Sequence, residues 1–280
     1  MAGKFGGLLG SGIVALTLAG TACGYDSSSN PSGPGYEDSA TAALTEPAMS
    51  AVIGRSRFRV FTAAGDIAPQ LAEFRAVLGN PANGGTPGPL QGGRREIAWD
   101  AVPAAQTNVN TFPGDFFNTN VRAGAIFATD GIGFRNSDND FADINPAYAD
   151  DFNAFSRPKT FMPIGSAAMT VSFRIPGAAT PAATRGFGVV FSDVERQGAA
   201  SIKLFDAQGR SLGQYHAPVR NDAAGFSFVG VVFESSIVAQ VLITSGQRAL
   251  GDAVQDLSDG GNLDLAVMDD YLYAEPQALP

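Results

Sequence analysis

Within residues 185–273, five runs decide the fold: GFGVVFSDV (186–194), SIKLFD (201–206), FSFVGVVF (226–233), IVAQVLIT (237–244) and LDLAVMDDYLY (263–273). Each run is short and rich in β-branched and aromatic residues, a composition that favours strands over helices. In SIKLFD, apolar Ile202 and Leu204 nearly alternate with polar residues, which is the period of a half-buried strand. Because polar turns rather than helical patterns separate the runs, the stretch predicts an all-β, antiparallel β-sandwich.

Three pairs of neighbouring runs are predicted to form β-hairpins. The connection 207–209 ends in Gly209, as a type I turn with a left-handed glycine requires. A second hairpin is expected across residues 234–236. A third is expected where the strand GAIFAT (124–129) is followed by residues 131–134.

These runs carry a resemblance to known proteins. The succession GFGVVFSDV, SIKLFDAQGRSLG, FSFVGVVF, VLITSG and VMDDYLY resembles the C-terminal half of galactose-binding-like jelly rolls. Over residues 57–276 the chain also resembles a group of uncharacterised secreted bacterial proteins that share REIAWDAVP, GDFFN and VMDDYLYAEP. The resemblance implies a jelly-roll sandwich and no particular activity, because a fold hosts many functions.

Composition limits the domain organisation and the partners. The 280 residues are 45% apolar, enough to build one large core, and we expect a single β-sandwich domain over residues 52–276. One short N-terminal helix is expected from Asp66, as its cap, to about Leu78, with Gly79 just past its end. The net charge of −9 argues against nucleic acid and against an anionic lipid surface as partners.

The N-terminal residues indicate export. Lys4 precedes an apolar run that ends at Ala22, which predicts a signal peptide over residues 1–22. Cys23, the sole cysteine, follows it at a position that suits lipidation, although Gly20 stands where a lipobox usually has Leu. Free secretion after cleavage is the alternative. Residues 23–51 are Ser-, Gly- and Pro-rich, which predicts a flexible tether. We expect a secreted, periplasmic or outer-surface protein, which lipidation of Cys23 would anchor to a membrane.

The acidic segment NSDNDFADINPAYADD (136–151) is a candidate calcium site. Clustered carboxylates on a loop are the hard oxygen ligands that calcium takes. The loop carries Asp138, Asp140, Asp143, Asp150 and Asp151, and the first three are the metal-binding candidates. An EF-hand is excluded because its turn glycine and closing glutamate are missing. A solvated surface loop is the alternative interpretation.

The jelly-roll resemblance implies a second, structural calcium site. In such modules the first and last strands pair, so Asp100 would approach one of Asp269 and Asp270. Since neighbouring strand residues face opposite sides, at most one of the two adjacent aspartates should point toward any single site. Alternatively, both simply end a strand.

Exposed aromatic rings near amides and carboxylates would suit a carbohydrate ligand. Tyr148 is the aromatic side chain expected to be exposed, and Asn145 and Asp115 complete the ligand-binding candidates. Trp99, in a strand predicted over residues 94–102, is expected in the core.

Catalytic patterns are weak. His216 is the sole histidine, no Gly-x-Ser-x-Gly motif is present, and zinc chemistry normally needs more His or Cys ligands. We therefore expect a non-catalytic module that binds extracellular carbohydrate or another small ligand, with calcium as a possible structural cofactor. A carboxylate-dependent hydrolase and a structural cell-surface protein are the alternatives, and the sequence leaves the oligomeric state open.

Overall fold

A computed structural model of the chain describes residues 50–53, 56–220, 222 and 224–279. These residues form two antiparallel β-sheets that face each other. The predicted signal peptide, Cys23 and the tether up to residue 49 lie outside these residues. Strand β1 begins at Ser50, so it includes the last two residues that we assigned to the tether.

The first sheet has eight strands in the order β1-β2-β12-β9-β14-β6-β5, with β3 beside β14. Its strands are β1 (Ser50–Ile53), β2 (Ser56–Ala64), β3 (Arg94–Ile97), β5 (Gly133–Ser137), β6 (Thr160–Ile164), β9 (Gly186–Ser192), β12 (Phe226–Phe233) and β14 (Val267–Ala274). The central strands β9, β12 and β14 are almost wholly buried, which explains their continuous apolar runs.

The second sheet has seven strands in the order β11-β10-β13-β7-β8-β15, with β4 beside β7. Its strands are β4 (Ala125–Ala128), β7 (Ala168–Arg174), β8 (Pro181–Ala183), β10 (Ser201–Phe205), β11 (Ser211–His216), β13 (Gln240–Thr244) and β15 (Gln277–Ala278). In β7, buried and half-buried residues alternate, the pattern of a strand with one face on the core.

One large apolar core includes side chains of both sheets, among them Phe187 and Tyr271 from the first and Val171 and Ile243 from the second. Trp99 lies in this core, fully buried as predicted, and stacks on Phe161 with 3.8 Å between ring centroids. The predicted antiparallel β-sandwich is therefore confirmed.

Turn chemistry predicted one of the three hairpins. β10 and β11 pair as predicted, and Gly209 has the left-handed φ of +74°. The other two hairpins are wrong, because β12 and β13 belong to different sheets, as do β4 and β5. Their connections cross from one sheet to the other, which the strand patterns on either side do not reveal.

The predicted N-terminal helix is confirmed as α1 (Ala68–Leu78), and two single-turn helices, α2 (Phe116–Thr119) and α3 (Tyr148–Asp151), accompany it. Ile67, rather than Asp66 as predicted, is the N-cap residue of α1. Asp66 lies one residue earlier, where its carboxylate accepts a hydrogen bond from the Ala68 N–H at 3.2 Å. The helix packs on the outer face of the first sheet through a second apolar cluster. No helix in the described residues is long and apolar enough to cross a membrane.

Candidate metal centre

The three aspartates predicted to form a calcium loop are divided among separate partners. Asp138 accepts a hydrogen bond from the Asn108 side chain at 2.6 Å, and Asp143 forms an ion pair with Arg135. Asp140 lies between them in a left-handed conformation, with φ of +52°; burial raises its pKa, and Arg157 opposes that rise. The loop between β5 and α3 thus orients these carboxylates toward different neighbours.

Asp100 has a different environment from that expected. Strand β3 ends at Ile97, earlier than predicted, and Asp100 lies in the short 3-10 helix Trp99–Ala101. Its carboxylate there accepts a hydrogen bond from the Lys159 N–H at 3.2 Å.

The expectation that Asp269 and Asp270 point in opposite directions is wrong. A β-bulge between Met268 and Tyr271 interrupts the alternation of β14. Both carboxylates consequently contact the Ser156 hydroxyl, at 3.0 Å from Asp269 and 2.6 Å from Asp270. Burial, followed by the charge of Asp270, raises the pKa of Asp269 to about 8.

The expected exposure of Tyr148 is also wrong, because its side chain is fully buried at the start of α3. Its hydroxyl lies 2.9 Å from the carbonyl oxygens of Gly251 and Val254. Asn145 donates a hydrogen bond to the Val254 carbonyl at 3.1 Å. Asp115 is exposed at the start of α2, where its carbonyl accepts hydrogen bonds from the next turn. Tyr148 and Asn145 therefore hold a loop in place.

Behind that loop lies a group of five buried or half-buried acidic residues, which we call the carboxylate cluster. Its members are Asp151, Asp193, Glu195, Asp256 and Asp264. Carboxylate oxygens of Asp193, Glu195 and Asp256 all lie within 4.8 Å of one another, the one group of three potential metal ligands found among the described residues.

Three segments bring the cluster together. Asp151 ends α3, and Asp193 and Glu195 directly follow β9. Asp256 and Asp264 belong to the long connection between β13 and β14. Asp193 has a left-handed φ of +67°, a conformation that Asp tolerates better than most residues. Its N–H donates a hydrogen bond to the Gly225 carbonyl at 2.9 Å.

Hydrogen bonds orient part of the cluster. Both carboxylate oxygens of Asp256 are used: Leu265 N–H donates to one at 2.7 Å, and Ser258 N–H donates to the other at 2.7 Å. The Ser258 hydroxyl also lies 3.0 Å from Asp151 Oδ1. Asp264 Oδ2 accepts from the Glu195 N–H at 2.9 Å, so the ligand-bearing segments are tied directly to one another.

Four other oxygens of the cluster are buried and accept no hydrogen bond from any described residue. They are Asp151 Oδ2, Asp193 Oδ2, Glu195 Oε2 and Asp264 Oδ1. The side chains of Asp151, Asp193 and Asp264 are at most 1% exposed. Burying a carboxylate oxygen without a partner costs free energy, so these atoms require a proton, a water molecule or a cation as a partner.

Burial and mutual repulsion make the cluster hard to ionise. Burial, followed by the charges of Asp256 and Glu195, raises the pKa of Asp193 to about 9. Burial and Asp256 raise the pKa of Glu195 to about 7. Burial is also the main cause that raises the pKa of both Asp151 and Asp264 to about 6. A divalent cation would favour the ionised form of all of them.

Sequence reasoning missed this cluster, although it placed Asp151 in the acidic segment. The available signal was the spacing of Asp193 and Glu195, two acids on alternate positions after a buried strand, together with GDAVQDLSDGGNLD (251–264). That second segment combines acids with turn-forming residues in the manner of the segment we selected.

The comparisons with known proteins do not identify the chain. No protein-family model matches it, and no curated protein does. Among solved structures, the chain is similar to the enzymatically active domain of bacteriophage CBA120 tailspike protein 4, with 18% identity over 51% of this chain and a TM-score of 0.18. The match spans about a fifth (21%) of that structure's length, so we draw no conclusion on fold or function from it.

Proposed function

We propose that the protein is an extracellular, non-catalytic binding module whose β-sandwich is stabilised by calcium in the carboxylate cluster. The observation that carries the proposal is the set of four buried, unpartnered carboxylate oxygens in one place. A cation there would turn a repulsive group of acids into a coordination shell that ties the end of β9 to the connection before β14.

The ligand chemistry favours calcium. The cluster offers oxygen ligands alone, and calcium takes ~6–8 of them in flexible geometry, whereas magnesium demands near-octahedral coordination and usually keeps several waters. Nitrogen and sulfur ligands, which zinc prefers, are absent from the group of Asp193, Glu195 and Asp256.

The export signal and the tether predicted from the sequence support an extracellular place for the module. Extracellular calcium modules bind their ion with dissociation constants of about 10⁻⁴–10⁻³ M. Metal binding and protonation compete for the same carboxylate oxygens. Because the carboxyls of this cluster must lose their protons before they bind calcium, we expect a calcium affinity in this moderate range.

The first test is thermal unfolding of the purified protein in EGTA and then with 10 mM calcium chloride. An ion that binds the folded form alone at 100 times its dissociation constant stabilises by about 2.7 kcal/mol. In a domain of this size that corresponds to a rise in Tm of roughly 5–10 °C.

The diagnostic variant is Asp193→Asn, with Asp130→Asn as the matched control at an exposed position shortly after β4. Burial and the neighbouring acids raise the pKa of Asp193 to about 9, so without a cation its carboxyl is neutral at pH 7. Asparagine keeps that neutral state and the side-chain shape, so Asp193→Asn should unfold at nearly the same temperature in EGTA at pH 7 while losing the response to calcium. Asp130→Asn should keep the full response. An unchanged Tm of the wild type in calcium, or a normal response of Asp193→Asn, would refute the site.

A further inference from the structure

A pocket of about 440 Å³ opens beside the carboxylate cluster. It is lined by Arg248 and by two arms of one loop, residues 252–255 and 261–263. Pockets for small molecules typically measure ~300–1,000 Å³, so this one has room for a small ligand.

The backbone of the pocket is held from behind. Tyr148 binds the carbonyls of Gly251 and Val254, and Arg196 donates a hydrogen bond to the Asn262 carbonyl at 2.7 Å. Gly261 N–H donates a hydrogen bond to the Asp256 carbonyl at 2.7 Å. This hydrogen bond connects the two arms to each other and to the carboxylate cluster. These contacts shape the pocket before any ligand arrives.

The polar side chains that line the pocket remain available. Arg248, Asp252 and Asn262 are exposed, and their side chains make no hydrogen bond or ion pair with any described residue. Together they offer guanidinium donors, carboxylate acceptors and an amide that does both. Val254 and Leu263, both half-buried, add apolar contact surface.

This combination selects for a ligand class. Donors and acceptors beside a small apolar surface match a molecule that carries several hydroxyl groups on a C–H framework. The charges of Arg248 and Asp252 cancel, so the lining itself attracts no net charge. An anionic ligand would also meet the neighbouring carboxylate cluster, whose five acids exceed the two charges of a calcium ion.

We propose that this pocket binds an uncharged saccharide unit and that the cation of the carboxylate cluster keeps its two arms in position. The inference rests on the proposed cation site, because Asp256 and Asp264 of the carboxylate cluster adjoin the pocket residues Gln255 and Leu263, and Asp256 is one of the three potential metal ligands. Loss of the cation would remove the shared partner that ties Asp256, and with it the arm 252–255, to the end of β9.

The test is isothermal titration of calcium-loaded protein with D-glucose, D-galactose, D-mannose and N-acetyl-D-glucosamine, with D-glucuronate as the charged comparison. We expect one or more of the neutral sugars to bind and glucuronate to bind more weakly. Asp252→Asn and Asn262→Ala should each weaken the sugar affinity by at least about ten-fold while leaving calcium binding unchanged, and Asp130→Asn should change neither.

The outcomes separate the two proposals. If the protein takes up calcium but binds none of the neutral sugars, or if both pocket variants bind as the wild type does, the saccharide pocket is wrong and the cation site stands. Full-strength sugar binding in EGTA would overturn the coupling between them. Absence of calcium uptake by the wild type would overturn both.

Discussion

At the scale of single residues, the bulge in β14 creates a carboxyl pair that must share protons. Ser156 has one hydroxyl proton for both Asp269 and Asp270, and the two aspartates are 0% and 5% exposed. The pKa of Asp269 is raised to about 8, mainly by burial and then by Asp270. Because this folded-state pKa exceeds the unfolded value, the bound proton stabilises the protein at low pH, and that stability is lost as the pH rises through 8.

Asp270→Asn should therefore reduce the loss of stability between pH 6 and pH 9. The amide can donate to Asp269 and still accept from Ser156, so a shared proton is no longer needed. At ~1.4 kcal/mol per pKa unit, we expect the wild type to lose on the order of 2 kcal/mol more than the variant over this range. Urea unfolding of calcium-loaded protein at both pH values measures it, and equal losses would contradict the shared proton.

At the scale of elements, a pair of glycines seats α1 on the first sheet. Gly188 and Gly230 face each other on β9 and β12, and Phe74 of α1 lies directly over them. A Cβ atom at Gly230 would come within 2.6 Å of the Phe74 ring, and one at Gly188 within 2.7 Å. The absence of side chains at both positions allows the close approach of helix and sheet.

Gly230→Ala should destabilise the protein by about 1–3 kcal/mol, the usual cost of an overpacked core, as measured by urea unfolding. Phe74→Leu shortens the opposing side chain, so the double variant should lose less than the sum of the two single losses. Gly92→Ala is the matched control, since a Cβ there meets nothing within 4 Å. Additive losses would show that Phe74 is not the obstacle.

For the protein as a whole, the excess of acidic residues makes it costly to bury several of them ionised in one place. The chain carries a formal charge of −9, yet it buries five acids around one point. Four of them have raised pKa values, from about 6 for Asp151 and Asp264 through about 7 for Glu195 to about 9 for Asp193. Without a cation the folded state therefore binds more protons than the unfolded chain, and stability falls as the pH rises.

We expect the Tm in EGTA to fall steadily from pH 5.5 to pH 8.5. Calcium competes with protons for the same oxygens, so the rise in Tm that it produces should grow over the same pH range. Differential scanning calorimetry at 5 mM calcium and in EGTA, at matched ionic strength, measures both trends. A calcium effect that is independent of pH would contradict proton release from the cluster.

Local pattern was sufficient for much of the secondary structure. FSFVGVVF matches β12 from Phe226 to Phe233, and the hairpin of β10 and β11 follows from Gly209. The helix α1 follows from its apolar face and from Gly79. In each case the deciding interaction lies within a few residues of the chain, where periodicity and turn chemistry report it directly.

The sheet to which each strand belongs could not be predicted from the local pattern. Alternation shows that one face of β13 is buried, but it does not say whether the covering strands belong to the same sheet as β12. The burial of Tyr148 could not be predicted for the same reason, because its partners Gly251 and Val254 are remote in sequence. The bulge that turns Asp269 and Asp270 toward Ser156 likewise depends on the neighbouring strands.

The fold class, the helix α1 and most strands follow from the amino-acid sequence, because they depend on the local period of apolar residues and on glycines in turns. Which acids meet depends on contacts between segments that are distant in sequence. Asp151, Asp193 and Asp256 come from three separate segments, and the crossing of the chain between two sheets brings them to one place. The pKa values of these acids are raised because they are buried next to one another, and that burial requires all three segments.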